Sequence, residues 1–301
     1  MLIIKIKWWL WNQMFQYAYI RALSLRTNNP FLLDVKEYDY YKYRNYELWE
    51  LFNIKWNICK DENLKFYQRL YSTNKYFNFL CTKAKDFSLK FNTNHFVEKD
   101  MLNNKKWENS IIDNKFLSIK EGYIEWYFQS LKYFEDFEDT IIKDFTFKKE
   151  LSEKSREIVN DIENSESVSI HVRRWDYLNK EYIDTYWVCS IEYFYKWIDI
   201  IKRQTNSPLK FFVFSDDINW CRANLKQDDI YYIDRNTWKD SWQDMALMSK
   251  CKHNIIANSS FSWWWAELNR NPDKIVIAPK ERYKKKDVYQ NDIIPNSWTK
   301  L

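Results

Sequence analysis

The apolar positions of this chain change period along its length, and the changes mark its elements. Ile3, Ile4 and Ile6 form a β-branched run that reads as a strand, and Met14, Tyr17, Ala18, Ala22 and Leu25 then share one helical face across residues 13–26. Residues 31–35, after Pro30, predict a second strand. From about residue 38 to 118 the chain is rich in Tyr, Phe, Asn and Lys without a repeat, which predicts helices with loops and fits an AT-biased genome better than a binding tract. After a charged helical stretch at 149–163, strands are predicted at 168–172, 211–214, 230–233, 254–257 and 274–278. Helices near 190–203, 217–225, 240–250 and 262–270 fall between them. Such alternation argues for a parallel sheet covered by helices on both faces.

Length and composition bound the rest. With ~100–200 residues per domain, 301 residues predict two α/β domains, 1–150 and 151–301, without a flexible linker. No uninterrupted apolar run approaches the roughly 20 residues that cross a bilayer. The start, Met1-Leu2-Ile3-Ile4-Lys5-Ile6-Lys7, lacks the apolar core and small-residue cleavage site of a signal peptide, so a cytoplasmic protein is expected. Five scattered cysteines without a CxxC pair fit reduced thiols, and three histidines offer no metal spacing. The net charge of +5, from 47 basic and 42 acidic residues, falls far short of the basic face that a nucleic-acid partner requires. A polyanionic small substrate suffices to explain it.

Two opposite anomalies stand out. Gly122 is the single glycine, where usage of roughly 7% predicts about 20, and the chain carries 17 tryptophans. Glycine serves positive φ and close backbone approach, so ordinary drift does not exchange it for the bulkiest side chain. One cause covers both: the codon UGA, glycine in some bacteria and tryptophan under other codes.

Candidate chemistry clusters where predicted strands run out into loops, the edge at which open α/β sheets bind ligands. His171-Val172-Arg173-Arg174-Trp175-Asp176-Tyr177 offers paired guanidiniums suited to a diphosphate and to the charge on a departing nucleoside diphosphate, without a metal. The alternative is a solvated Arg pair ending a strand. Phe214-Ser215-Asp216-Asp217 could accept hydrogen bonds from guanine N–H groups or ribose hydroxyls, or merely cap the next helix. Asn258, Ser259, Ser260 and Ser262 begin a helix whose N-terminal amides form a diphosphate cradle, again with capping as the alternative. Phe261, Trp263 and Trp264 read as core, and His253 as packed at a strand start. In the loop before the first helix, Asn12 and Gln13 could bond sugar or phosphate oxygens, while Asn12 could equally cap that helix.

These motifs carry a resemblance. His-x-Arg-Arg-x-Asp-Tyr at 171–177 resembles the donor-binding motif of the α-1,2-fucosyltransferases (glycosyltransferase family 11). Residues 8–13 resemble that family's Gly-Gly-Leu-Gly-Asn-Gln signature, 126–130 its Gly-Tyr-Phe-Gln-Ser element, and 261–266 its Phe-Ser-Trp-Trp-Gly-Ala element. Trp8, Trp9, Trp11, Trp126, Trp175 and Trp265 stand at the family's glycine positions, with Trp187 and Trp238 as further candidates; Trp263 and Trp264 match the family. The likeness runs from residue 3 to 298.

It implies a GT-B-like α/β fold of two facing Rossmann-like domains, the carboxy-terminal one holding GDP-fucose and the amino-terminal one on the acceptor side. The implied reaction is inverting transfer of fucose to the 2-hydroxyl of an acceptor sugar, a galactoside, in surface glycan synthesis such as O-antigen, with no metal or other cofactor. The implied donor contacts are His171, Arg173, Arg174, Asp176, Ser215, Asp216, Asn258, Ser259, Ser260 and Ser262; Asn12 and Gln13 would face fucose or acceptor. Arg173 and Asn12 would assist catalysis, and Asp176, or else Glu181, would take the acceptor proton. Lipid-linked acceptors would bring the enzyme to the periphery of the inner membrane, although no amphipathic anchor is evident. Competing readings are transfer of another nucleotide sugar on this fold, or an inactive glycan- or protein-binding module whose tryptophans form the binding surface.

Overall fold

A computed structural model describes residues 1–40, 45–55, 57–60, 95–97, 112–180, 182–205, 207–236, 238–284 and 292–300. The chain divides into two compact units, with the crossing between Thr146 and Phe147. Most of the stretch expected to be helical at 38–118 lies outside the described residues.

The first unit runs β1 (Leu2–Lys5), α1 (Leu10–Thr27), β2 (Phe31–Asp34), α2 (Glu37–Tyr40), α3 (Leu48–Leu51), β3 (His95–Val97), β4 (Gly122–Glu125) and α4 (Glu138–Asp144). Its described strands form a parallel sheet in the order β2-β1-β4-β3. Helix α1 is buried along most of its length, and Asn28 ends it in the left-handed conformation, donating its N–H to the Ser24 carbonyl. The helix starts earlier than the apolar spacing suggested, with Trp9 at its N-cap and no side-chain cap, so Asn12 lies inside it and does not cap it. Aromatic and charged bonds fasten α1 to the chain around it. The Tyr19 ring stacks on Phe128 at 3.9 Å, and Asp144 of α4 accepts from the Tyr17 hydroxyl at 2.8 Å and from Arg21 Nε at 2.9 Å.

The second unit continues α5 (Glu153–Glu163), β5 (Glu166–Val172), α6 (Ile191–Gln204), β6 (Leu209–Ser215), α7 (Ile218–Asn224), β7 (Ile230–Ile233), α8 (Ser241–Lys250), β8 (His253–Ile255), α9 (Ser260–Leu268), β9 (Val276–Ala278) and β10 (Thr299–Lys300). Its described strands are all parallel, in the order β10-β9-β8-β5-β6-β7. β5 is central and buried over all but its first residue, as a strand covered on both faces must be. Helix α6 turns Phe194, Trp197, Ile198 and Ile201, spaced for one helical face, onto Val168, Ile170 and Val213 of the sheet.

The order fixes where a ligand can sit. From β5 the chain winds outward through β6 and β7, then returns to lay β8, β9 and β10 on the other side of β5. The winding therefore reverses between β5 and β8, and the crevice beyond their carboxyl ends is the topological switch point where such sheets bind ligands. Among the described residues no helix is long and apolar enough to cross a membrane.

Replacing Asp144 by Ala strands the Tyr17 hydroxyl and the Arg21 guanidinium inside the first unit. Urea unfolding should show a loss of about 3 kcal/mol; unchanged stability would mean that this network fastens nothing.

Candidate active site

The exit of β5 is built around one carboxylate. Asp216, just past β6, accepts the backbone N–H of Arg174 at 2.9 Å and of Trp175 at 3.2 Å, and pairs with Arg173 Nη1 at 3.2 Å. Burial pushes the Asp216 carboxyl above its ordinary value, against the pull of Arg173 and the two amides. Arg173 also donates to Asp176 Oδ2 at 2.7 Å. Burial works against the Arg173 charge, but Asp216 and Asp176 outweigh it and hold the guanidinium above its ordinary value. Arg174 lies with its guanidinium 3.8 Å over the Trp220 ring and its Nε 3.6 Å from Asp217. That Nε is buried without a hydrogen-bond partner, as is Asp176 Oδ1. The exit thus presents a stacked guanidinium and a carboxylate oxygen, both with unused bonding capacity.

Across the crevice, Ser259 caps α9 by accepting from the Phe261 N–H at 3.3 Å, so the capping alternative is what the structure adopts for Ser259. The amides of the first turn remain at that end of the helix, beside Ser260. A crevice at this edge is lined by Asn258, Ser259, Lys280 and Arg282 among others. Lys280 and Arg282 went unnoticed in the sequence; the signal was a basic run directly after the last long predicted strand.

Several expected ligand contacts are committed elsewhere. His171 is buried and its Nδ1 lies 2.6 Å from Ser262 Oγ, itself fully buried, so this pair ties β5 to α9. Burial, with help from Arg173, lowers the His171 imidazole to about 3 and keeps it neutral. Ser215 donates to the Val172 carbonyl and accepts from the Asp217 N–H, each at 2.9 Å. Asp217, not Asp216, caps α7, through the Trp220 N–H at 3.1 Å. Both Asp216 oxygens take part in shaping the 173–175 turn. The Asn258 amide donates to the carbonyls of Trp187 and Arg282, and the Asn258 carbonyl accepts from the Tyr177 hydroxyl. His253 packs as expected, bridging Glu166 and the Ile275 N–H. Trp263 and Trp264 are core, as expected.

In the first unit Gln13 is fully buried, donating to the carbonyls of Trp8 and Asn45 and accepting from the Glu47 N–H. These bonds position the loop. Asn12 Oδ1 accepts from Gln129 Nε2 at 2.7 Å, joining the first turn of α1 to the loop after β4. Glu181 lies outside the described residues. Among those described, no group of three or more His, Cys, Asp or Glu side chains is arranged to hold a metal.

Comparison with known proteins decides the family. The model of glycosyl transferase family 11 matches residues 1–301. The chain belongs to glycosyl transferase family 11. Its relatives include the alpha-1,2-colitosyltransferase of Escherichia coli, 31% identical over 96% of this chain and 95% of that one. The O-antigen biosynthesis glycosyltransferase WbnK of Escherichia coli is 30% identical over 96% and 97%. Among solved structures, Arabidopsis thaliana FUT1 in complex with GDP matches with a TM-score of 0.55 at 11% identity, over 98% of this chain and 75% of that one. Fucosyltransferase NodZ from Bradyrhizobium matches with a TM-score of 0.51 at 12% identity, over 88% and 90%. The fold is accordingly α/β of the GT-B type, and the protein is a glycosyltransferase.

In this family 11 chain, therefore, Arg173, Arg174, Asp176, Asp216, Asn258, Ser259 and Ser260 converge on the switch point, whereas His171, Ser215 and Ser262 lie beneath it as supports.

A histidine held near 3 when folded and ordinarily titrating at 6.5 is protonated first in the unfolded chain. Stability is therefore full above the ordinary value and falls as the pH drops toward the folded one, by up to about 1.4 kcal/mol per pH unit. His171→Asn, which keeps a partner for Ser262, should flatten the loss seen by urea titration between about pH 6.5 and 5. His253 is present in both proteins and cancels; an unchanged slope would show that His171 is not the sensor.

Proposed function

We propose that this glycosyltransferase moves fucose from GDP-fucose to the 2-hydroxyl of an acceptor sugar, a galactoside, in the assembly of a surface polysaccharide of the O-antigen kind. The observation that carries the proposal is Arg174: a guanidinium held over the Trp220 ring at the switch point, with a buried Nε that has no hydrogen-bond partner. Arginine matches a diphosphate as a planar fork and keeps its charge at every working pH. The α9 amides and Ser260 stand beyond the end of β8, the strand paired with β5, an arrangement that favours an anion at the helix end. The names of relatives that transfer sugars through α-1,2 linkages, and a neighbour solved with GDP, support the choice of donor and linkage.

The chemistry follows from these groups. The acceptor 2-hydroxyl gives its proton to a carboxylate, for which Asp176 Oδ1 is the described candidate and Glu181 the alternative. The acceptor oxygen then bonds to C1 of the sugar as the bond from C1 to the GDP oxygen breaks, and attack from the opposite face inverts the centre. The negative charge left on GDP falls to Arg174, Arg173 and the helix amides, so that no metal is called on. Asn12, fixed to Gln129, is the first unit's candidate for contact with the acceptor. A lipid-linked acceptor would draw the enzyme to the inner face of the membrane.

A second reading is favoured by one finding: a relative alike over nearly the whole chain is named for transfer of colitose. A panel of GDP-fucose, GDP-colitose, GDP-mannose and UDP-sugars, read by product formation on a galactoside, separates the two. GDP-fucose should give the highest turnover. Arg174→Ala should then cost roughly 100- to 1000-fold in kcat, the scale for removing one preorganised donor to a developing charge, and Asp176→Asn roughly 100-fold or more. Turnover with UDP-sugars alone, or full activity in Arg174→Ala, would overturn the proposal.

A further inference from the structure

Two tryptophans in the first unit carry the backbone of a glycine. Among the described residues, four other than glycine have positive φ: Trp8 at 74°, Asn28 at 54°, Trp126 at 123° and Phe128 at 53°. Gly122, the chain's one glycine, has φ 139°. Asn28 has an ordinary reason, since it ends α1 in a conformation that Asn tolerates. Phe128 falls inside the small left-handed region, and its fully buried ring is stacked on Tyr19. Trp126 falls nowhere near that region, which spans about +50 to +70° for residues with a Cβ, and Trp8 lies just beyond it. Tryptophan makes up 17 of the 301 residues, yet it supplies two of these four positions, so chance placement is a poor account.

The conformation is held by hydrogen bonds to the backbone carbonyls of residues 8 and 126. The Trp8 carbonyl accepts from Gln13 Nε2 at 3.0 Å and from the Tyr38 hydroxyl at 2.8 Å. The Trp126 carbonyl accepts from Gln16 Nε2 at 3.0 Å, and Gln16 Oε1 accepts the Lys7 N–H at 3.0 Å. One glutamine of α1 thus fixes both loops, each just beyond one of the paired parallel strands β1 and β4. A strained backbone persists only where its surroundings over-determine it, and these bonds do so whatever side chain residue 8 or 126 bears. The other family glycine positions make no such demand: Trp9 has φ −70°, and Trp11, Trp175 and Trp265 are not among the residues with positive φ.

We infer that positions 8 and 126 are glycine in the working enzyme, because the fold requires glycine's backbone at both. The inference concerns the backbone and holds whichever sugar is transferred. A UGA codon read as glycine supplies it in a single step.

The test compares glycine with alanine, which differ by the Cβ alone. Trp8→Gly should exceed Trp8→Ala in stability by roughly fivefold in the folding equilibrium constant, ~1 kcal/mol, and Trp126→Gly should exceed Trp126→Ala likewise. At Trp49, in the right-handed turn of α3, the order should reverse. Urea unfolding measures all six variants. If the single variants do not fold, the soluble fraction of the double glycine variant against the double alanine variant gives the same ranking. Alanine equal to or better than glycine at both positions overturns the inference. So does an indole mass at residues 8 and 126 in peptides of the chain isolated from cells that read the gene in its own code.

Discussion

The Asp216 carboxylate is the constraint on which the rest of the second unit's site depends. Its Oδ1 accepts the Arg174 amide at the end of β5, and its Oδ2 accepts the Trp175 amide and meets the guanidinium of Arg173. A buried anion is tolerated only where hydrogen bonds and an opposite charge replace the water it has lost. Here those partners come from the very loop that must present Arg174. The cost of burying Asp216 is therefore offset by fixing the loop's shape, which holds the Arg173 and Arg174 charges at the switch point.

The two arginines consequently differ in office although they adjoin in sequence. Arg173 pairs with Asp216 and Asp176 and acts as the strut of the turn. Arg174 is oriented by a ring face, which restrains a guanidinium without using its N–H groups. A lysine at either position would fail differently: at 173 it could not reach two carboxylates through a planar fork, and at 174 it would lose the stacking that sets direction.

Much of this was legible in the sequence, for identifiable reasons. Residues 230–233 were placed to the residue, and β5, β6, α6 and α8 to within two at each end, because β-branched runs and 3.6-residue spacing report burial directly. β4 was missed: Gly-Tyr-Ile-Glu is four residues long and begins with the residue least expected in a strand. β10, two residues long, carries no pattern at all. β8 ends two residues before its expected end, and its buried Asn254, unexpected in a core strand, is satisfied by Ser169, Met248 and Asn269. For the site, sequence placed the groups at the right edge but could not divide those that meet a ligand from those that hold the edge together. Ser215 and Asp217 differ from a ligand-binding serine and aspartate only in where their partners lie, and partners are a property of three dimensions.

That division follows a physical rule. A polar side chain that is both buried and unpaired forfeits its hydration with no return, so a fold spends its buried polar groups on itself first. Gln13, Gln16, His171, Ser262 and Asp216 obey it: each is buried deeply and each is answered within its own unit. At the switch point Arg174 Nε, Asp176 Oδ1 and Asn258 Oδ1 stay buried without a hydrogen-bond partner, the capacity that the proposed donor would use. The same logic applies to backbone. Gln13 and Gln16 hold the carbonyls of residues 8 and 126 so firmly that those residues must adopt a conformation foreign to tryptophan. The family's amino-terminal signature thus combines two demands. Its glutamine builds the turn, and its first glycine position is the residue the turn is built for.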